Sequence, residues 1–348
     1  MPSLPRKSIL PIGEDFIVHV ISRCVRRAWL CGQDPYSGKD YEHRRAWVLE
    51  RIQVLVGSFA IEVPAYAIMS NHSHLVLWCR PAQAAAWSDE EVARRWLRLS
   101  RVHDAASEDK VQALAEDKEE IAKRREQLGS VSWFMRYLNE HIAKQANKED
   151  ECTGRFWEGR FKSQLLADEG AVLACMAYVD LNPARAKLAG SLEESDFTSV
   201  QDRLTGDRAR RQLESLGKIA TPTAEQLAMI GRAREQSTVD VWLCPLGADA
   251  GRHTVLDISL EGYLALVEWT GMQVAANKRG VLPGEMQDTV AKLGLDVTAW
   301  VETVLGFGRK FSHVAGAEEK LREQARRCGQ VGAKGRSAAA GMYARAGG

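Results

Sequence analysis

The spacing of apolar residues changes period along the chain. The run FIVHVISR at Phe16–Arg23 is rich in β-branched and aromatic types and predicts a strand. From Tyr41 to Phe59 the apolar residues Trp47, Ile52, Leu55, Val56 and Phe59 recur at three- and four-residue steps with charges between them, which predicts a helix. Two short β-like runs follow, Glu62–Met69 and Ser73–Cys79, with Ser70 and Asn71 suited to the turn between them. The chain thus opens β-α-β-β. Residues 88–129, including SEDKVQALAEDKEEIAKRREQ, combine dense charge with helix formers and predict a surface helical insertion. Further helices are predicted over Ser132–Ala146 and Asp168–Leu181. The second should stop near Asn182-Pro183, because the residue before a proline is driven out of helical geometry. Between them, KEDECTG breaks the pattern ahead of an aromatic and basic run, GRFWEGRFKSQLL.

Beyond Gly190 the β signals fade, and a boundary is expected between Gly190 and Pro222. Helices are predicted at Thr223–Arg234, Ser259–Trp269, Pro283–Gly294, Val297–Leu305 and Ala317–Arg327, with no repeat of fixed period. The expected division is an α+β domain over residues 1–190 and a mostly helical extension over 191–348. In that extension Leu264, Val267 and Trp269 have the spacing of a core face, and Gly306–Gly308 (GFG) reads as a turn after a helix.

Composition narrows the class. A chain of 348 residues has room for two cores, and 45% hydrophobic with 27% charged residues describes an ordinary globular protein. No segment has the unbroken apolar length of a membrane span; the stretch Val54–Met69 is interrupted by Glu62. The start, MPSLPRKSILPIGEDF, lacks the pattern of a secretory signal, so a cytoplasmic protein is expected. The 7 cysteines include no CxxC pair, which argues against a disulfide scaffold and a cysteine zinc site. A net charge of +1 offers no global pull on nucleic acid. Basic residues do gather locally: Arg23, Arg26, Arg27, Arg44 and Arg45; Arg155, Arg160 and Lys162; and a tail from Lys320 through Arg326, Arg327, Lys334 and Arg336 to Arg345.

Two segments carry chemistry. In NHSHLVLW, His72 and His74 lie two apart on a predicted strand and so share a face. Two such imidazoles can hold one divalent cation if a third ligand arrives from elsewhere, or they simply pack. In AYVDLNPARA, Tyr178 and Asn182 are one helical turn apart, so a cation on the Asn182 amide oxygen would lie within reach of the Tyr178 phenol. The alternative is a core tyrosine and an asparagine that closes the helix. Chemistry links the segments. A phenol of ordinary pKa, about 10, is a poor nucleophile unless it or its target is activated. A cation on a phosphate oxygen provides that activation, and attack by Tyr178 would leave a phosphotyrosine and a free hydroxyl.

FIVHVISR, AYAIMSNHSHLVLW, GRFWEGRFKS and AYVDLNPARA occur in an order and spacing that resemble the HUH single-tyrosine transposases, above all the REP-associated tyrosine transposases, over residues 10–190. The resemblance implies a ferredoxin-like βαββαβ catalytic domain with an antiparallel sheet. It also implies His72, His74 and Asn182 as ligands of Mg²⁺ or Mn²⁺, and Tyr178 as the nucleophile. The implied activity is metal-dependent nicking and joining of single-stranded or hairpin DNA at repeated palindromic elements, by a monomer or homodimer. One departure stands out: Ser70 occupies a position where the family commonly has proline.

For DNA contact, Arg155, Arg160, Lys162 and Arg185 are expected on phosphates. Phe156, Trp157 and Phe161 divide between base stacking and core, with Trp157 or Phe161 expected to be buried. The other histidines, His19 among them, have no partner at ligand spacing, so core or surface roles are expected. The basic tail suggests that the C-terminal helices help grip DNA. Two other readings compete: a domesticated DNA-binding or regulatory protein that does not mobilise DNA, and a metal hydrolase using water. The last is weakened by the lack of a carboxylate placed to act as general base.

Overall fold

The computed structural model describes residues 9–343 except 12, 26–28, 36, 100–106, 186–194, 220, 248–252, 276–282, 328 and 330–334. Along the chain run β1 (Phe16–Arg23), α1 (Arg44–Val56), β2 (Ile61–Ile68), β3 (His72–Cys79), α2 (Pro81–Ala86), α3 (Asp89–Leu97), α4 (Glu108–Glu116), α5 (Lys118–Leu128), α6 (Val131–Glu149) and β4 (Lys162–Leu166). Then follow α7 (Glu169–Asp180), α8 (Asn182–Arg185), α9 (Ser199–Leu216), α10 (Ala224–Gln236), α11 (Leu260–Ala275), α12 (Gly284–Lys292), α13 (Trp300–Lys310), β5 (Val314–Ala315), α14 (Glu318–Arg327) and α15 (Arg336–Ala340). The class is α+β.

The chain packs as two units: Met1–Val63, Ile68–Ala167 and Ser312–Lys334 form the first, and Pro64–Ala67, Asp168–Phe311 and Gly335–Gly348 the second. This differs from a single cut at Gly190. The helix that carries Tyr178 packs with the helical unit, and β5 and α14 return to the first. The stretch read as a boundary, 190–222, holds the 18-residue helix α9. That helix is invisible to hydrophobic periodicity because polar groups anchor it. Ser199 Oγ and the Val200 N–H both donate to the buried carboxylate of Asp180. Arg203, itself buried, donates to the carbonyls of Pro64 and Cys244 at 2.9 and 2.8 Å.

The sheet order is β2-β3-β1-β4-β5. β1 pairs antiparallel with β3 and β4, and β5 runs parallel to β4, so the sheet is mixed rather than wholly antiparallel. Register assigns the faces. Residues directly opposite one another across a ladder point to the same side. Val18, Val20, Leu75, Leu77 and Leu165 therefore share one face and are buried. Helix α6 covers that face: its Asn139 donates to Ser22 Oγ at 2.9 Å, and its Phe134, Leu138 and Ile142 are buried. Helix α1 packs beside α6 and buries Val48, Ile52 and Leu55. Burying each such aliphatic side chain is worth roughly 1.5–3 kcal/mol, which makes this the principal core of the first unit. The other face carries His19, Ile21 and Arg23 of β1, His72, His74 and Val76 of β3, and Lys162 and Gln164 of β4.

The insertion predicted over 88–129 is helical, as α3, α4 and α5, and carries surface ion pairs such as Arg125–Asp89 at 2.5 Å. In the second unit every residue of α7 from Gly170 to Asp180 is buried, as expected of a helix that is apolar on all sides. Asp168 caps it by accepting from the Ala171 N–H at 2.8 Å. Leu264 and Val267 are core as predicted, whereas Trp269 is half-buried. GFG is not a turn. It lies inside α13, with Phe307 fully buried.

Candidate functional site

The histidine pair sits in the first unit on the polar face of β3. His72 and His74 rings approach edge to face, with centroids 4.9 Å apart and planes at 72°. Each has its Nδ1 engaged. His72 Nδ1 bonds the Oδ1 of Asn71 at 2.7 Å, which makes that nitrogen the protonated one and gives Nε2 the lone pair. His74 Nδ1 lies 2.9 Å from Nε2 of His19, and the two rings are nearly coplanar, 12° apart. His19 is therefore not the unattached histidine that spacing along the chain implied. On β1 it stands two residues from Ile21, the direct partner of His74, and so reaches His74 diagonally across the ladder.

Burial keeps His72 and His19 neutral. It pushes the His72 imidazole down to about 4, with the Arg23 guanidinium adding to the effect. It pushes His19 down to about 4 as well, and the accepting amide oxygen of Gln164 offsets part of the shift. Neutral imidazole is the form that ligates a metal. Two imidazoles that meet edge to face, each with Nδ1 engaged, leave Nε2 as the nitrogen that could enter a divalent cation's shell. Among the described residues no set of three or more His, Cys, Asp and Glu could hold a metal ion, so any further donors would be amide oxygens or water. A mixed nitrogen and oxygen set accepts Mn²⁺ more readily than Mg²⁺.

Tyr178 and Asn182 lie in the second unit. Their four-residue spacing does place them one turn apart, but Asn182 Nδ2 donates to the backbone carbonyl of Tyr178, at 3.2 Å, rather than meeting the phenol. The amide nitrogen is thereby committed to the helix end. Tyr178 is 9% exposed, and its ring packs on Phe307 of α13 with centroids 5.9 Å apart. Gly308 gives that phenol its seat: a Cβ there would stand 2.9 Å from Cζ and closer still to the hydroxyl.

The basic run divides by side chain. Arg155, Arg160 and Lys162 are exposed, while the side chain of Arg185 lies outside the described residues. Lys162 opposes Ile21, which in turn opposes His74, so it stands on the histidine face two strands away, about 10 Å at normal strand spacing. Phe156 and Phe161 are buried, 4% and 8% exposed, and so are core rather than base-stacking platforms. Trp157 is half-buried and donates Nε1–H to the Asn139 carbonyl at 2.8 Å. Sequence reasoning missed His19 and Gln164. Their pairing on adjacent strands is the only signal for them, and it requires the register.

No protein family profile matches this sequence, and no curated protein does. Among solved structures the chain is similar to a REP-associated tyrosine transposase bound to a REP hairpin, with a TM-score of 0.35 and 10% identity, over 57% of this chain and 82% of that one. Similarity at that level neither assigns a family nor transfers a site.

Proposed function

We propose that this chain is a divalent-cation-dependent, tyrosine-type nicking and joining enzyme for single-stranded or hairpin DNA, a transposase-like strand transferase. The observation that carries this reading is the His72–His74 pair, rings edge to face and each with Nδ1 engaged, on a sheet face that also bears Lys162. The succession β1-α1-β2-β3-α6-β4 with order β2-β3-β1-β4 supports a ferredoxin-like core beneath it.

In this reading His72 and His74 would hold the cation through Nε2, and the Asn182 carboxamide would be the further protein donor. When bound, Mg²⁺ or Mn²⁺ neutralises charge on the scissile phosphate. The Tyr178 phenol loses its proton to solvent and its oxygen bonds to phosphorus. The bond from phosphorus to the sugar oxygen breaks, and that oxygen takes up a proton. The products are a phosphotyrosine and a free hydroxyl, and the linkage stores the ester for rejoining without ATP. Arg155, Arg160, Lys162 and Arg185 bind flanking phosphates.

The test uses the full-length protein, Mn²⁺ and an end-labelled single-stranded hairpin oligonucleotide. A denaturant-resistant protein–DNA adduct is expected, and Tyr178→Phe should abolish it while oligonucleotide binding persists. An adduct of undiminished yield in that variant would rule Tyr178 out. A second reading draws on the packing of Tyr178 against Phe307 and Gly308. It describes a DNA-binding protein that retains the fold without cutting, and it predicts oligonucleotide retention with no adduct under any cation.

A further inference from the structure

We infer that His19 is a positioning residue for His74: it holds His74 as the Nδ1–H tautomer, so that the Nε2 lone pair is the one presented to the cation. The inference deepens the proposed function and rests on it for the cation.

Gln164, 7% exposed on β4, directs its Nε2 to the carbonyl of Ser312 at 3.2 Å. A carbonyl oxygen only accepts, so this end of the amide is the NH₂ and the Gln164 oxygen is turned elsewhere. That oxygen is buried and has no hydrogen-bond partner of normal geometry, so an N–H brought near it is drawn to it. Its register partner on β1 is His19, with whose imidazole it interacts. His19 turns Nε2 toward His74, which leaves Nδ1 as the nitrogen able to bring a proton to the amide oxygen. A neutral imidazole carries one N–H. With the proton of His19 on Nδ1, its Nε2 is an acceptor, and the hydrogen in the 2.9 Å contact belongs to His74 Nδ1. The polarity set by Ser312 thus passes through Gln164 and His19 to His74. His72 reaches the same tautomer by a separate route, through Asn71 Oδ1. Both histidines then offer the same nitrogen. Outer partners of this kind orient a ligating histidine and typically change metal affinity 10- to 100-fold when removed.

The experiment is done on the full chain with ¹⁵N-labelled histidine. Long-range ¹H–¹⁵N spectra of the metal-free protein report the tautomer of each ring, and Mn²⁺ affinity is measured by electron paramagnetic resonance. Wild type should show His74 protonated at Nδ1. His19→Leu should lose that preference and bind Mn²⁺ about 10- to 100-fold more weakly, with an unchanged backbone spectrum. His19→Gln, whose amide oxygen can accept from Nδ1–H, should restore both. Gln164→Leu, one step further out, should weaken the tautomer preference without touching His74 and serves if His19→Leu does not fold. His74 protonated at Nε2 in wild type overturns the inference. So does Mn²⁺ affinity in folded His19→Leu equal to that of wild type. Wild type that binds no Mn²⁺ while His74 keeps its Nδ1 proton upholds the tautomer assignment and sinks the cation reading, so the two failures are told apart.

Discussion

The seat of Tyr178 is open to a direct test through Gly308. A Cβ added there would meet Cζ of Tyr178 at 2.9 Å and Cε2 at 3.5 Å, against ordinary contacts of 3.4–4 Å, so the ring or α13 must shift by several tenths of an ångström. The ring is confined, since Tyr178 is 9% exposed and packs on Phe307. Overpacking of this kind costs about 1–3 kcal/mol. Gly308→Ala also gains helix propensity, about 1 kcal/mol, because the site lies inside α13. Gly231 supplies the control. It lies within α10 with nothing inside 4 Å of its would-be Cβ, so Gly231→Ala collects the propensity gain alone. The difference between the two variants isolates the clash: Gly231→Ala should be the more stable by about 1–3 kcal/mol in urea unfolding at equal m-value. Adding Tyr178→Phe to Gly308→Ala removes the nearest atom and should recover part of the loss. Equal midpoints for the two alanine variants, with no recovery in the double variant, would show that the phenol does not occupy this seat.

Three further outcomes are expected. Burial raises the Asp202 carboxyl to about 6 despite the Tyr66 hydroxyl at 2.8 Å. Its folded value thus lies above its unfolded value of about 3.9, so the native state holds the extra proton and stability falls as pH rises from about 4 through about 6, by up to about 3 kcal/mol. Urea midpoints of wild type relative to Asp202→Asn should decline over that window, and a flat difference contradicts the shift. Arg44 is fully buried, pairs with Glu149 and Asp150 at 2.5 Å each and donates to the Trp29 carbonyl at 3.0 Å. Because both acids are partly wet, Arg44→Ala should cost about 3 kcal/mol, the low end for breaking a buried pair. Arg44→Lys should not restore it, since an ammonium cannot replace the planar fork; a midpoint equal to wild type would show the cluster to be inert. Lys162→Ala should lower the slope of log affinity against log salt for single-stranded DNA by about 0.7, and an unchanged slope removes Lys162 from the phosphate contacts.

What the sequence made legible was local. β1 is found at Phe16–Arg23, where β-branched residues gather, and α6 and α7 lie within a few residues of their apolar and proline signals. Helix α9 was hidden because its buried positions, Ser199, Val200, Arg203, Gly206 and Ala209, keep helical spacing with mostly small or polar residues. It is held instead by the Asp180 carboxylate and by a buried arginine. β5 has only two residues and so no period of its own. GFG was misread for a related reason: glycine signals a turn when nothing larger is nearby, but Gly308 is small because a distant phenol fills the space.

The candidate site divides along the same line. Spacing within one strand shows that His72 and His74 share a face, and spacing within one helix shows that Tyr178 and Asn182 share a turn. Neither shows what holds the rings. That depends on which residue of β1 stands opposite which residue of β3, and a slip of one residue would put His19 on the covered face with Val18 and Val20. The alternation of those buried valines against the partly exposed Ile17 and Ile21 fixes the slip, so the register that builds the core also delivers His19 to His74. The contact of His19 with His74 is thus a consequence of hydrophobic burial on the opposite side of the same strand. A core substitution that shifted β1, without touching any imidazole, would disconnect it.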